Sequence, residues 1–383
     1  MESGDLYDQI ADASAQSAAG EVDAMLASAP AVILYGAGHA GRDVLRILIA
    51  RGITVRCFLD QSATPGDERE GIPVCLPDDP AFTVDIRGSV PVIITVFNYQ
   101  VDEGALGAKL HQLGWAKVVP FMAFHRDYAN ALGSRYWLTD LSFYRGRAPQ
   151  LRAAAAIWAD RRSRGIYDAI LRYRARGEAE PILTPDADAP YFPHDVPPWT
   201  TPSRFVDCGA YEGDTLEQIR ARGFPLAAVA AFEPDAGHLP KLAATLRELA
   251  ASAESTPAYL WPCAVHSRTT QLRFAAGLGT SSGVSAQGEE IVPAVALDDV
   301  LAGFAPTFIK MDIEGSEYDA LLGAREIIRR HRPGLAICVY HRAQHLWQIP
   351  LLIHSWDLGY RFWLRIHARS GYELVLYAQP SAA

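Results

Sequence analysis

The sequence predicts an α/β protein of two domains, each a largely parallel sheet wrapped by helices. Three observations lead there. In both halves of the chain, short apolar runs alternate with amphipathic stretches at helical spacing. The 383 residues are more than one compact core of about 150 residues would use. Between the two alternating series lies a proline-rich stretch, 181–202, that no regular element would tolerate.

In the first half, AVILYG (31–36) reads as a buried strand closed by glycine, and HAGRDVLRILIARG after it as an amphipathic helix. TVRCFLD (54–60) and PVIITVF (91–97) read as further strands, EGALGAKLHQLG (103–114) as a helix and KVVPFMAF (117–124) as a last strand. From about 126 the pattern turns helical and rich in Ala, Arg and Tyr. The expected boundaries are therefore a Rossmann-like nucleotide-binding domain at 1–125, a helical and Pro-rich bridge at 126–202, and a second Rossmann-like domain at 203–383.

The second half repeats the rhythm with strand RFVDCG (204–209), a helix near 214–222, strand AAVAAFEP (227–234), helix 236–250 and strand AYLWPCAV (258–265). A Gly/Ser-rich loop, GLGTSSGVS (277–285), precedes strand TFIKMDIE (307–314), helix SEYDALLGAREIIRRH (316–331) and strand GLAICVYH (334–341). YRFWLRIHA (360–368) and ELVLYAQ (373–379) have no clear helix between them, which predicts a hairpin and one antiparallel strand at that end of the sheet.

Composition narrows the function. Acidic residues outnumber basic ones, 44 to 35, and no block of Lys or Arg stands out, so the electrostatic footprint of a nucleic-acid or anionic-lipid binder is absent. The opening MESGDLYDQI is unlike a signal peptide and no apolar run spans a bilayer, so a cytoplasmic protein is expected. The five cysteines are odd in number and widely spaced, and read as reduced, buried small residues.

Gly36, Gly38 and Gly41 give GxGxxG directly after a strand, and Asp60 closes the next strand. Such glycines let a backbone approach a pyrophosphate at a helix N-terminus, while the acid accepts from ribose hydroxyls, so these four residues form a candidate second nucleotide site. A scaffold that binds nothing explains the pattern too. The Tyr and Lys pair, four apart, of many sugar-nucleotide oxidoreductases is missing, because no tyrosine has a lysine at that offset.

In the second domain Asp207, Gly209, Ala210, Tyr211, Gly213, Asp214 and Thr215 lie on one strand end, turn and helix start, and Glu233 ends the next strand. A carboxylate and carbonyl oxygens suit an ammonium group, free backbone N–H donors suit a carboxylate, and Glu233 suits two ribose hydroxyls. S-adenosylmethionine has all of these parts. Further on, Lys310, Asp312 and Glu314 share a face if the strand runs through them. His341, at the next strand end, has the pKa range of a general base and is the first choice for that role, with Asp312 second. His341 and His345 lack a third ligand for zinc. A divalent cation on Asp312 and a second acid suits oxygen chemistry, but the sequence assigns no metal.

Taken together, FVDCGAYEGDT, FEP, IKMDIEGSE, CVYH and the RFWLRIHA…YELVLYA ending closely resemble the FkbM family of S-adenosylmethionine-dependent methyltransferases, over about 180–380. The resemblance implies the seven-stranded class I methyltransferase sheet and O-methylation of a hydroxyl on a sugar, glycan or related natural product. It assigns the residues around 207–215 to the methionine part, Glu233 to the ribose, and Ala264 and Val265 to the neighbourhood of the adenine. Asp312, Glu314, Lys310 and His341 remain candidates from position and chemistry, with a pocket framed by Asp312, Glu314, His341 and the loop around Thr280–Ser282. Tyr191-Phe192-Pro193-His194 is a candidate cover for the cofactor or acceptor. Two other readings stay open: an NAD(P)-dependent sugar-nucleotide oxidoreductase run by the first domain, and a non-catalytic nucleotide-binding protein.

Overall fold

The computed structural model describes residues 5–12, 20–133, 136–140, 142–178, 184–251, 256–277, 282–285 and 287–381. The chain divides into two compact units. One comprises Met1–Arg152, Gly165–Pro185 and Ala368–Tyr372; the other comprises Ala153–Arg164, Asp186–His367 and Glu373–Ala383.

The first unit holds β1 (Val32–Tyr35), β2 (Val55–Leu59), β3 (Glu68–Arg69), β4 (Ile72–Cys75), β5 (Val92–Ile94) and β6 (Val118–Val119), in the sheet order β3-β4-β2-β1-β5-β6. All neighbours are parallel except the β3–β4 hairpin. β1 is buried at every position, as a central parallel strand must be. Ile33, Leu59, Val92 and Ile94 form the core with Trp115, whose ring meets Phe82 edge-on at 5.2 Å. The run expected as a strand over 117–124 is strand only at Val118–Val119. Pro120 takes the N-cap position, and Phe121–Leu132 is a helix whose first N–H, on Phe121, is accepted by the Glu103 carboxylate.

The second unit contains the expected seven-stranded sheet. Its strands are β7 (Ser203–Cys208), β8 (Leu226–Phe232), β9 (Ala258–Trp261), β14 (Phe308–Met311), β15 (Gly334–Cys338), β16 (Tyr360–Ile366) and β17 (Leu374–Pro380), in the order β16-β17-β15-β14-β7-β8-β9. β15-β14-β7-β8-β9 are parallel, whereas β17 runs antiparallel to both β15 and β16, which is the predicted closing hairpin.

Three expectations in this unit are corrected. AYLWPCAV is not one strand: Pro262 has no N–H to continue the ladder, so β9 stops at Trp261. Ala264–Val265 becomes β10 of a separate four-stranded sheet with β11 (Thr270–Ala275), β12 (Gly283–Val284) and β13 (Glu290–Val295), ordered β10-β13-β11-β12. The strand expected over 307–314 ends at Met311, because Glu314 and Gly315 take left-handed backbone with φ of 52° and 97°. The single helix expected over 316–331 is two, Glu317–Leu322 and Arg325–His331, divided at Gly323, where an added Cβ would lie 2.2 Å from the His266 carbonyl oxygen. Among the described residues, no helix is long and apolar enough to cross a membrane.

Candidate functional site

The parallel strands of the second sheet are laid down outward from β7 on one side and from β14 on the other. The carboxyl ends of this adjacent pair therefore mark the switch point where open α/β sheets bind ligands. In the β7–β14 register Lys310 is the partner of Asp207, so their side chains leave the same face side by side. Lys310 Nζ stands 2.9 Å from Asp207 Oδ1 and donates to the Gly209 carbonyl oxygen at 2.6 Å. Both residues are buried. Burial pushes the Asp207 carboxyl up to about 6, against the pull of Lys310. Burial alone would lower Lys310, but Asp207, Asp312 and Asp214 reverse that and hold it raised.

The segment after β7 turns on three left-handed residues, Gly209, Tyr211 and Gly213, with φ of 78°, 48° and 92°. Gly209 can be nothing else. A Cβ there would lie 1.9 Å from the Asp312 carbonyl oxygen. The N–H groups of Gly209 and Ala210 both donate to the Phe232 carbonyl at 3.0 Å, which ties the turn to the end of β8. Asp214 opens the following helix and accepts from the Thr215 N–H at 2.9 Å; Thr215 is buried beneath it.

Glu233, next to the end of β8, is only 6% exposed. Its Oε2 accepts from the Tyr211 N–H at 2.9 Å and its Oε1 from the Asp235 N–H at 2.8 Å. Burial pushes this carboxyl up, and the two N–H donors hold it back. Each oxygen keeps a further acceptor direction, as two ribose hydroxyls would need. His238, a residue sequence reasoning missed, stacks edge-on against Tyr211 at 4.3 Å and stands 3.5 Å from Glu233. Ala264 and Val265 are buried in the small sheet.

Asp312, Glu314 and His341 converge beyond β14 and β15. Asp312 Oδ1 is 3.4 Å and Glu314 Oε1 3.3 Å from His341 Nε2. Their side chains are 23% and 20% exposed, against 1% for His341, so the acids are the open face and the imidazole the floor. Glu317, the last residue of IKMDIEGSE, is wholly buried. Its Oε1 faces His341 Nδ1 at 2.7 Å and accepts from the Ile313 and Gly315 N–H groups at 3.0 and 3.3 Å. Its other oxygen lies 3.1 Å from His345. Tyr191 donates its hydroxyl to Asp312 Oδ2 at 2.9 Å.

Two expectations change with this geometry. Lys310 does not share a face with Asp312 and Glu314 on one strand, since the strand ends before them; it is buried beneath the Gly209 turn and positions Asp207. Burial alone would lower the His341 pKa, but Glu317 and Glu314 overcome it and hold the ring well above the usual histidine range. While Nε2 carries its proton, the imidazole has no lone pair with which to take another. Of the loop expected around Thr280–Ser282, only Ser282 lies within the described residues.

In the first unit Gly36, Gly38 and Gly41 lie where expected, with Gly38 as N-cap of the helix His39–Ala50. A Cβ on Gly41 would sit 2.1 Å from the Gly36 carbonyl oxygen, so these glycines pack helix against strand end. Asp60 Oδ1 accepts from the N–H and the hydroxyl of Ser62, at 2.9 and 2.7 Å.

Residues 207–365 match the family described as "Methyltransferase FkbM domain". The chain is similar in fold to a crystal structure titled as methyltransferase FkbM from Methylobacillus flagellatus KT. That likeness has a TM-score of 0.77 and 23% sequence identity, and covers 97% of this chain and 98% of the other. No curated protein matches the chain.

Proposed function

We propose, from the match of residues 207–365 to the methyltransferase FkbM domain, that the second unit transfers a methyl group from S-adenosylmethionine to a hydroxyl of a sugar, glycan or related natural product. The family supports methyl transfer as such; the donor, the oxygen acceptor and its class are our reading. The observation that carries it is the pairing of Asp207 and the left-handed 209–213 turn with Glu233 at the switch point of the sheet.

When bound, S-adenosylmethionine supplies a methyl group on a positively charged sulfur. Asp207 and the turn from Gly209 to Thr215 would hold its amino-acid part, Glu233 its ribose, and Ala264 and Val265 would flank its base. Lys310 keeps Asp207 ionised and the Gly209 carbonyl aimed. The acceptor side is the open face of Asp312 and Glu314. We assign the base to Asp312: Tyr191 occupies its Oδ2, while its Oδ1 makes no hydrogen bond and would take the hydroxyl proton as the acceptor oxygen is methylated. His341 lies beneath it, with Nε2 3.4 Å from Asp312 Oδ1. Much of the rate would come from the positioning that these residues give donor and acceptor.

Calorimetry with S-adenosylmethionine tests the donor, and mass spectrometry of a panel of mono- and oligosaccharides incubated with enzyme and donor tests the acceptor. One molecule bound per chain and a sugar gaining one methyl group are expected. Absence of donor binding would end this reading.

A further inference from the structure

Three donor atoms meet on the open face of the second unit: Asp312 Oδ1, Glu314 Oε1 and His341 Nε2, all within 4.8 Å of one another. His341 Nε2 is buried and makes no hydrogen bond, although it lies 3.4 and 3.3 Å from the two carboxylate oxygens. Asp312 Oδ1 is likewise buried without a hydrogen bond. Separations of this size are what one ion touching each atom at about 2.0–2.2 Å would produce.

The surroundings match the chemistry. A metal-binding histidine characteristically gives its other ring N–H to a carboxylate, which fixes the tautomer and turns the bare nitrogen toward the ion. Glu317 stands in that place, 2.7 Å from Nδ1, and is itself fixed by two backbone N–H groups. Three carboxylates crowd one imidazole here, so a dication in place of the Nε2 proton leaves less uncompensated negative charge. One nitrogen and two carboxylate oxygens suit a borderline transition-metal ion better than calcium or magnesium, which favour all-oxygen shells.

We propose that Asp312, Glu314 and His341 bind one divalent transition-metal ion of the manganese or zinc class, with its remaining positions turned to the open face. The site stands on its donors alone. Its role rests on the transferase reading above and changes one part of it: with the ion bound, Asp312 Oδ1 and His341 Nε2 are its ligands, and the ion, in place of Asp312 as base, holds and acidifies the acceptor hydroxyl, whose proton passes to solvent.

Titration of chelator-treated, full-length protein with Mn2+ alone, followed by calorimetry and by electron paramagnetic resonance, tests it. One saturable site per chain is expected, with the nitrogen coupling of an imidazole in the pulsed spectrum. Glu314→Gln and Asp312→Asn should each weaken binding by at least roughly tenfold, the low end of what loss of even an outer-shell partner costs. Glu314→Gln keeps the shape of a partly exposed side chain, so it serves if Asp312→Asn does not fold. No saturable site, or one that survives both substitutions unchanged, overturns the proposal. Donor binding measured on the same samples is a separate readout: its presence without metal binding sinks the metal site alone, and its absence sinks the transferase reading alone.

Discussion

The same local pattern, a strand, a glycine turn, a helix and an acid at the end of the next strand, occurs once in each unit, and the two copies are built differently. In the first unit Asp60 is half-exposed and Oδ1 is engaged with Ser62, its own neighbour two residues on. In the second, Glu233 is buried and its two oxygens fasten separate segments, Tyr211 and Asp235, while Lys310 reaches across from β14 to brace Asp207. A short local turn costs little to break. An acid fastened from several elements is held ready before any ligand arrives. Pre-organisation of this kind, rather than the glycine spacing that both copies share, distinguishes the stronger candidate site.

The largest effect should come from removing the brace. Lys310→Met leaves the Asp207 carboxylate buried without its partner, and unfolding of the second unit in urea should show a loss of about 3–5 kcal/mol. An unchanged midpoint would mean that the brace adds nothing and that the two copies differ less than described. Next comes Glu233→Ala. Loss of two hydrogen bonds to a charged group, at about 1.5 kcal/mol each, predicts S-adenosylmethionine binding weaker by roughly 100-fold in calorimetry.

Buried histidines sharpen the contrast. His341 is ringed by carboxylates, whereas His125 in the first unit is 1% exposed with neither ring nitrogen hydrogen-bonded. Burial lowers the His125 pKa to about 4. The unfolded chain, with an ordinary histidine near 6.5, takes up a proton first as the pH falls. The contribution of His125 is therefore complete above about pH 6.5 and is lost as the pH drops toward its folded value. His125→Leu should stabilise the first unit against urea more at pH 5 than at pH 8, by a difference on the order of 1–2 kcal/mol; equal gains at both pH values would contradict the assignment. The smallest effect is expected of Asp60→Ala, about 1 kcal/mol or less in stability, since it breaks only a local turn. A fluorescence titration with NADH should show the first unit binding at least roughly tenfold more weakly than the second binds its donor. Tighter NADH binding, lost in Asp60→Ala, would make the copies equals.

Much of this was readable from the residues. Unbroken apolar runs such as Val32–Tyr35 and Leu226–Phe232 have few options other than a buried parallel strand, and the turn at Gly209 announces itself by glycine and acid together. What escaped reading was set by contacts distant in sequence. Alternation continues through Asp312 and Glu314, so nothing local says that the strand has already ended; the left-handed Glu314 does. Glu317 looks like any solvated acid in a first helical turn, and only the fold shows His341 and His345 on either side of it. The small sheet of β10–β13 was missed because two of its strands are only two residues long, the other two are largely exposed or half-buried, and the four pair across loops rather than along an alternating βα rhythm.

The contact between Gly209 and the Asp312 carbonyl, too tight for any side chain, carries a further consequence. The backbone that would seat the donor and the backbone of the acid proposed to face the acceptor touch without a cushion between them, and Asp312 also gives its N–H to the Cys208 carbonyl at 3.1 Å. Neither half can drift without dragging the other. Diversification toward new acceptors would then have to proceed through peripheral loops and side-chain tips, with this seam left alone.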